Sequence, residues 1–178
     1  MPYREINRYL TVCGCTVYNC DDQGMPEAMP LAIDCEVTLP SVTHPTMDAN
    51  VMGGMSVPNQ TSVENLECTI ALPDSAAANK ARKRGVRTFI IRHAVSISEA
   101  ETGSIRLGGF TATVAGLISG KDGLSVSPNA NSETNLTIQC VRYRFVDDEG
   151  NEVINISRPD GVLRIGGNDW REELRNLL

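Results

Sequence analysis

Apolar and polar residues alternate over much of this chain, and a period of two predicts strands with one buried face. In residues 31–39, Leu31, Ile33, Cys35, Val37 and Leu39 alternate with Ala32, Asp34, Glu36 and Thr38. In residues 66–72, Leu66, Cys68, Ile70 and Leu72 alternate with Glu67, Thr69 and Ala71. Residues 9–18 read as a strand around Leu10, Val12 and Val17, and residues 86–98 set Phe89, Ile91, Val95 and Ile97 on one face together with His93. Ile105 and Leu107 fall on odd positions but Phe110, Ala112 and Val114 on even ones, which predicts a β-bulge at Gly108-Gly109. Leu136, Ile138 and Cys140 give way to Val141, Tyr143 and Phe145. A strand that changes its buried face half-way predicts a strongly bent sheet, or passage between two sheets. Two short strands, 153–156 and 162–165, surround Arg158-Pro159-Asp160-Gly161.

Residues 76–84 are good helix formers apart from Asn79, with Asp74 or Ser75 as cap and Gly85 as stop. That helix has no large apolar residue, so only its alanines can face the sheet. A short terminal helix starts at Asp169, with Glu172 in capping-box position and Trp170, Leu174 and Leu177 along one side. Residues 1–8 read as an irregular arm, and 119–134 as a polar loop rich in Gly, Ser and Asn.

Residues 41–60 read as a long loop without clear period. Structureless loops beyond about 12–15 residues are uncommon and usually functional or disordered, yet disordered segments are poor in apolar residues. This one carries Val42, Met47, Val51, Met52, Met55 and Val57, with Gly53 and Gly54 able to turn its tip. A second copy of the chain is expected to cover it.

At 178 residues the chain reads as a single domain without internal repeat or linker, large enough to bury roughly 70% of its unfolded surface. No apolar run is long enough for a membrane helix, and no secretory leader is visible, so folding in a cytoplasm is expected. The net charge of −6 argues against tight nucleic-acid binding. The cations are clustered: Lys80, Arg82, Lys83, Arg84, Arg87 and Arg92 lie in an acid-free stretch. It reads either as a solvated helix end or as a docking patch for an acidic partner.

The six cysteines are Cys13, Cys15, Cys20, Cys35, Cys68 and Cys140. Their spacing does not suit zinc. Cys35, Cys68 and Cys140 read first as small buried hydrophobes. In a simple hairpin Cys35 and Cys68 would stand near-opposite, as a pair or a thiol contact. Cys13, Cys15 and Cys20 lie near the arm and a turn, within reach of another subunit, and an intersubunit disulfide is expected there. The two histidines, His44 and His93, are 49 residues apart, and His93 reads as a hydrogen-bonded core residue. Nucleotide-binding, hydrolase and metalloprotease motifs are absent. Neither catalysis nor a cofactor is expected.

Several stretches together resemble the major tail tube protein of contractile-tailed bacteriophages. They are Val37-Thr38-Leu39-Pro40, the loop with Met52-Gly53-Gly54-Met55, Leu72-Pro73-Asp74-Ser75, the Gly-rich loop 119–132, and residues 137–144. Asp160-Gly161-Val162, the charged terminal helix and the ending Arg175-Asn176-Leu177-Leu178 add to them. The resemblance runs from about residue 8 onward. It implies a mainly β fold of two orthogonally packed antiparallel sheets with a flanking helix. It also implies six subunits per ring, inner strands joined into one barrel, and rings stacked into a tube. The loop at 41–60 would then be the inter-ring contact, and Lys80, Arg82, Lys83 and Arg84 are candidates to face the sheath. The tape measure protein and double-stranded DNA would pass through the lumen, with baseplate and neck proteins at the ends. The setting would be the virion tail, assembled in the host cytoplasm. The alternatives are a tube ring of a tailocin or type VI secretion system, a free β-sandwich binding module expected to be monomeric, and an enzyme expected to have a deep polar pocket.

Overall fold

The computed structural model describes residues 8–21, 24–49, 55–59, 62–73, 77, 79, 81, 85–99, 103–121, 134–172 and 176. The chain is mainly antiparallel β. Its frame is four long strands: β1 (Arg8–Asn19), β7 (Arg87–Glu99), β8 (Ile105–Lys121) and β9 (Thr134–Val146). Between β1 and β7 come β2 (Ala32–Ile33), β3 (Val37–Thr38), β4 (Thr46–Ala49), β5 (Met55–Pro58) and β6 (Glu67–Leu72). After β9 follow β10 (Glu152–Ser157), β11 (Val162–Ile165) and β12 (Asn168–Asp169). One ladder runs β12-β11-β10-β9-β8-β7-β1-β2, and β6 with β3 branches from β9. Among the described residues this ten-stranded sheet does not close.

The fork falls on β9, where the alternation changes sides. Its first half, from Thr134 to Gln139, pairs with β6, while Arg142 to Val146 pair with β10. Against β8, Ala115 pairs with Arg142 but Gly116 with Cys140, so Val141 is the extra residue of a bulge. Leu136, Ile138 and Cys140 are buried before it, and Tyr143 after it. Gly116 is required at this crossing. A Cβ there would lie 2.2 Å from the Gln139 carbonyl oxygen and 2.9 Å from the Cys140 Cα.

The core lies on the face shared by β6, β7, β8 and β9. Cys68, Ile70 and Leu72 meet Phe89, Ile91, Ala112, Val114, Leu136 and Ile138, all fully buried. This is the arrangement expected from the alternation of residues 66–72 and 86–98. Ala77, Asn79 and Ala81 are helical, Ala81 is fully buried in the core, and Gly85 takes a φ of 93° just after.

Three expectations are corrected. Residues 31–39 are not one strand. Asp34, at φ 53°, is the sole non-glycine residue with positive φ among those described, and it breaks the run. Before the break β2 pairs with β1, and it is Ala32 that is buried while Ile33 is 61% exposed. After it β3 pairs with β6, and the foreseen parity returns, with Val37 half-buried and Thr38 exposed. Second, there is no bulge at Gly108-Gly109. Pairing with β7 runs unbroken from Ser98–Ile105 to Arg87–Gly116. Ile105 and Leu107 are outward residues, 73% and 80% exposed, and their apolar character mimicked a change of face. The interruption lies in β1 instead, between Val12 and Gly14. Third, the 41–60 stretch is not structureless. β4 and β5 form a hairpin with Met47 opposite Val57 and Ala49 opposite Met55.

Candidate assembly surfaces

The bare end of the long strands is the first surface. β1 is bonded to β7 along its whole length, but on its other side β2 reaches only Thr16 and Val17. The N-terminal half of β1 therefore presents an open edge among the described residues. Tyr9, Leu10 and Val12 on it are 64%, 56% and 62% exposed. The register continues this patch across the sheet, because Tyr9 aligns with Ser98 and Ile105, and Thr11 with Ser96 and Leu107. On the opposite face, the row of Leu10, Ile97 and Arg106 runs to the turn after β9. Arg106 reaches the Asp148 carboxylate at 2.6 Å, and Asp147 Oδ1 accepts from the backbone N–H groups of Glu149 and Asn151. Long apolar edge strands are templates for pairing with another chain, and proteins normally blunt or cover them. None of the described residues between 8 and 13 of β1 is proline, and none after Arg8 is charged.

The second surface is the β4–β5 hairpin, which is anchored at its root. The Asn59 amide donates to the Pro45 carbonyl (2.8 Å) and the Glu64 amide to the Thr43 carbonyl (2.9 Å), extending the pairing below β4 and β5. His44 Nδ1 donates to the Ser62 carbonyl at 2.7 Å, and the His44 ring stacks on Trp170 at 5.1 Å and 12°. Trp170 in turn donates its backbone N–H to the Leu163 carbonyl, and Asp169 Oδ1 accepts from the Arg171 amide; the expected terminal helix lies mostly outside the described residues. Val42 packs against the core at this root. Of the other residues assigned to the inter-ring contact, Met47, Met55 and Val57 lie on the paired strands, while Val51, Met52, Gly53 and Gly54 lie outside the described residues.

The basic cluster divides. Lys80, Arg82, Lys83 and Arg84 lie outside the described residues. Arg87 is not on a patch at all. It is 5% exposed and donates through Nη2 to Asn19 Oδ1 and to the Cys20 carbonyl, both at 3.2 Å. Arg92 lies over the Tyr18 ring, 5.3 Å from its centre, a cation–π contact. Nothing in the alternation distinguished Arg87 from its basic neighbours except its odd position, shared with Phe89 and Ile91.

All six cysteines are free thiols. The pairing of Cys35 with Cys68 is corrected by register. Val37 pairs with Ile70, which sets Cys35 level with Leu72 rather than Cys68. Cys35 instead meets Cys15, and Cys68 lies beside Cys140. Cys13 is exposed, at the β1 irregularity, and Cys20 is buried beside Arg87. His93 shares the core face as expected, but its buried Nε2 has no hydrogen-bond partner, and burial lowers its pKa. Glu36 and Glu67 both face outward, as their parity implied.

What these elements define, among the described residues, is an antiparallel β protein with one open, apolar strand edge and one hairpin anchored at its root. Residues 28–178 match the family described as phage tail tube protein FII, and the chain belongs to that family. It is a structural component of a phage tail tube. Among curated proteins no match is found.

Proposed function

We propose that this chain is a non-catalytic subunit of the tail's inner tube that joins copies of itself into six-fold rings, which stack into a hollow tube. In this reading the inner strands of neighbours continue one another into a barrel, and the fork at β9 is the seam between two orthogonal layers, flanked by the helix around Ala81. The tape measure protein and then double-stranded DNA pass through the lumen. A contractile sheath encloses the wall, docked through Lys80, Arg82, Lys83 and Arg84, and baseplate and neck proteins close the ends. Assembly takes place in the host cytoplasm. The net charge of −6 keeps the wall from holding DNA that must slide past.

The observation that carries this reading is the β1 edge. Its unpaired backbone groups and exposed Tyr9, Leu10 and Val12 need a strand from outside the described residues. The hairpin supplies the second direction of growth, along the tube, with methionines suited to a joint that must adjust. Electron microscopy and sedimentation of the purified chain over a range of concentrations test both parts. Rings and tubes are expected, and a version with residues 51–55 replaced by a short Gly/Ser turn should give folded subunits and rings without tubes. A monomer at every concentration overturns the ring. Tubes of normal length from the shortened chain overturn the hairpin's role.

A further inference from the structure

Four cysteines converge in the core. Cys15, Cys68 and Cys140 are buried in the main apolar cluster, and the half-buried Cys35 packs against it. They form two unlike pairs. Cys68 and Cys140 are adjacent, and burial pushes each thiol up to about 12. Such thiols stay protonated and act as small hydrophobes.

Cys15 and Cys35 differ, because their thiols hydrogen-bond to each other. The backbone produces this contact. Thr16 pairs with Ile33, and the Asp34 amide donates to the Cys15 carbonyl at 2.7 Å. The left-handed Asp34 then ends β2 and brings the next side chain onto the Cys15 thiol. The bond also makes the two thiols unequal. Cys15 donates, which lowers the pKa of Cys35 and raises its own. A cleft of about 430 Å³, lined by Gly14, Cys15, Asp34, His93 and Phe110 among others, opens on the Cys15 side of the pair. A half-buried thiol whose pKa is lowered, next to a resolving thiol, is the arrangement that reactive dithiols use.

We propose that Cys15 and Cys35 are a disulfide-forming site within one chain, closed by thiol–disulfide exchange with a small-molecule disulfide such as oxidised glutathione. The Cys35 thiolate attacks one sulfur of the oxidant and breaks its S–S bond. The thiolate released takes up the proton that Cys35 lost. Cys15 then gives up its proton and attacks the Cys35 sulfur of the mixed disulfide, expelling the second small thiol, which is protonated in turn. The protein loses two electrons and two protons, and the oxidant gains both as two thiols. The new bond closes the chain over residues 15–35 and fastens the break between β2 and β3 to β1. Reduced thiols are the rule in a cytosol and disulfides persist outside it, and a virion component passes from one to the other.

The test uses the full chain, natively folded, incubated with oxidised glutathione and then alkylated. Trypsin alone does not resolve the linkage, because no Lys or Arg lies between Arg8 and Lys80 and five cysteines share that peptide. Digestion at acidic residues separates Cys35 from the others. A mass loss of about 2 Da is expected, with one crosslink from Cys35 that is lost in Cys15→Ser and Cys35→Ser but kept in Cys13→Ser and Cys20→Ser. Oxidation should raise the melting temperature by roughly 5–10 °C, from the entropy of a loop this size. Cys35→Ser, at a half-buried position, gives the same readout if Cys15→Ser does not fold. A glutathione adduct that persists on Cys35, a link from Cys35 to Cys68 or Cys13, or six alkylated cysteines overturns the proposal. Every readout comes from a single chain, so it stands or falls separately from ring formation.

Discussion

The two ends of the same three strands contrast. At one end Val17 of β1, Ile91 of β7 and Ala112 of β8 lie in one register row and are fully buried, in one core cluster with Leu66, Ile70, Leu72 and Ala81. At the other end Leu10, Ile97 and Arg106 form the equivalent row, where Ile97 is still buried but Leu10, on the edge strand, is 56% exposed. The apolar alternation of β1 does not stop where the chain's own cover stops. Val12 continues the series of Val17 and Cys15 across the irregularity at Cys13, yet is 62% exposed. Burying a Leu or Val side chain contributes about 1.5–3 kcal/mol each, which in the proposed assembly would favour association at this end. The lesson is that an apolar period does not by itself report which residues the described part of the chain covers.

The largest expected difference between the two ends is in subunit stability. Phe89→Ala empties a fully buried ring site and should cost about 3–5 kcal/mol of unfolding free energy. Ile105→Ala, in the same sheet but 73% exposed, should change it by less than about 0.5 kcal/mol, as surface substitutions do. Urea melts of the isolated subunit measure both. Equal losses would mean that the bare end is already packed.

A smaller effect sharpens the contrast through pH. Burial lowers the pKa of His93. The unfolded chain therefore binds the proton first, and the stability this group contributes is full above its unfolded value of 6.5 and falls as pH drops through the folded value. At Glu152, burial works to raise the pKa, but hydrogen bonds from Arg144 and Asn155 outweigh it and lower the value from 4.5. That contribution is present above 4.5 and is lost further into acid. Thermal melts should show a first decline beginning near pH 6.5, absent in His93→Gln, and a second below pH 4.5, absent in Glu152→Gln. A flat profile from pH 7 to 5 in the parent chain contradicts the burial assigned to His93.

Much of the frame was legible from period alone. β6, β7 and both halves of β9 follow their alternation because each has one face against the core, and the change of side at Cys140 and Val141 became the bulge and fork. What failed did so for local reasons. The left-handed Asp34 reverses the parity of Ala32 and Ile33, and no periodic pattern contains a single dihedral angle. Ile105 and Leu107 are apolar and outward, which alternation reads as a turned strand. The four-residue strands β4 and β5 are too short for a period to emerge, so the hairpin read as a loop. Of the candidate surfaces, the apolar 41–60 stretch stood out in the sequence by its composition. The β1 edge was not, because edge position is a property of pairing rather than of composition. The thiol contact of Cys15 with Cys35 was hidden by the assumption that residues 31–72 form a simple hairpin.

The central claim is that the bare end of β1 is an interface between copies of this chain. The double variant Leu10→Lys, Val12→Lys places two charges on that edge, the device by which natural sheets resist pairing. Both residues are more than half exposed in the subunit, so its melting temperature should match the parent within about 2 °C. The account predicts that sedimentation then gives a monomer and electron microscopy no rings or tubes. A variant that melts like the parent and still forms rings at the parent's concentration would contradict it.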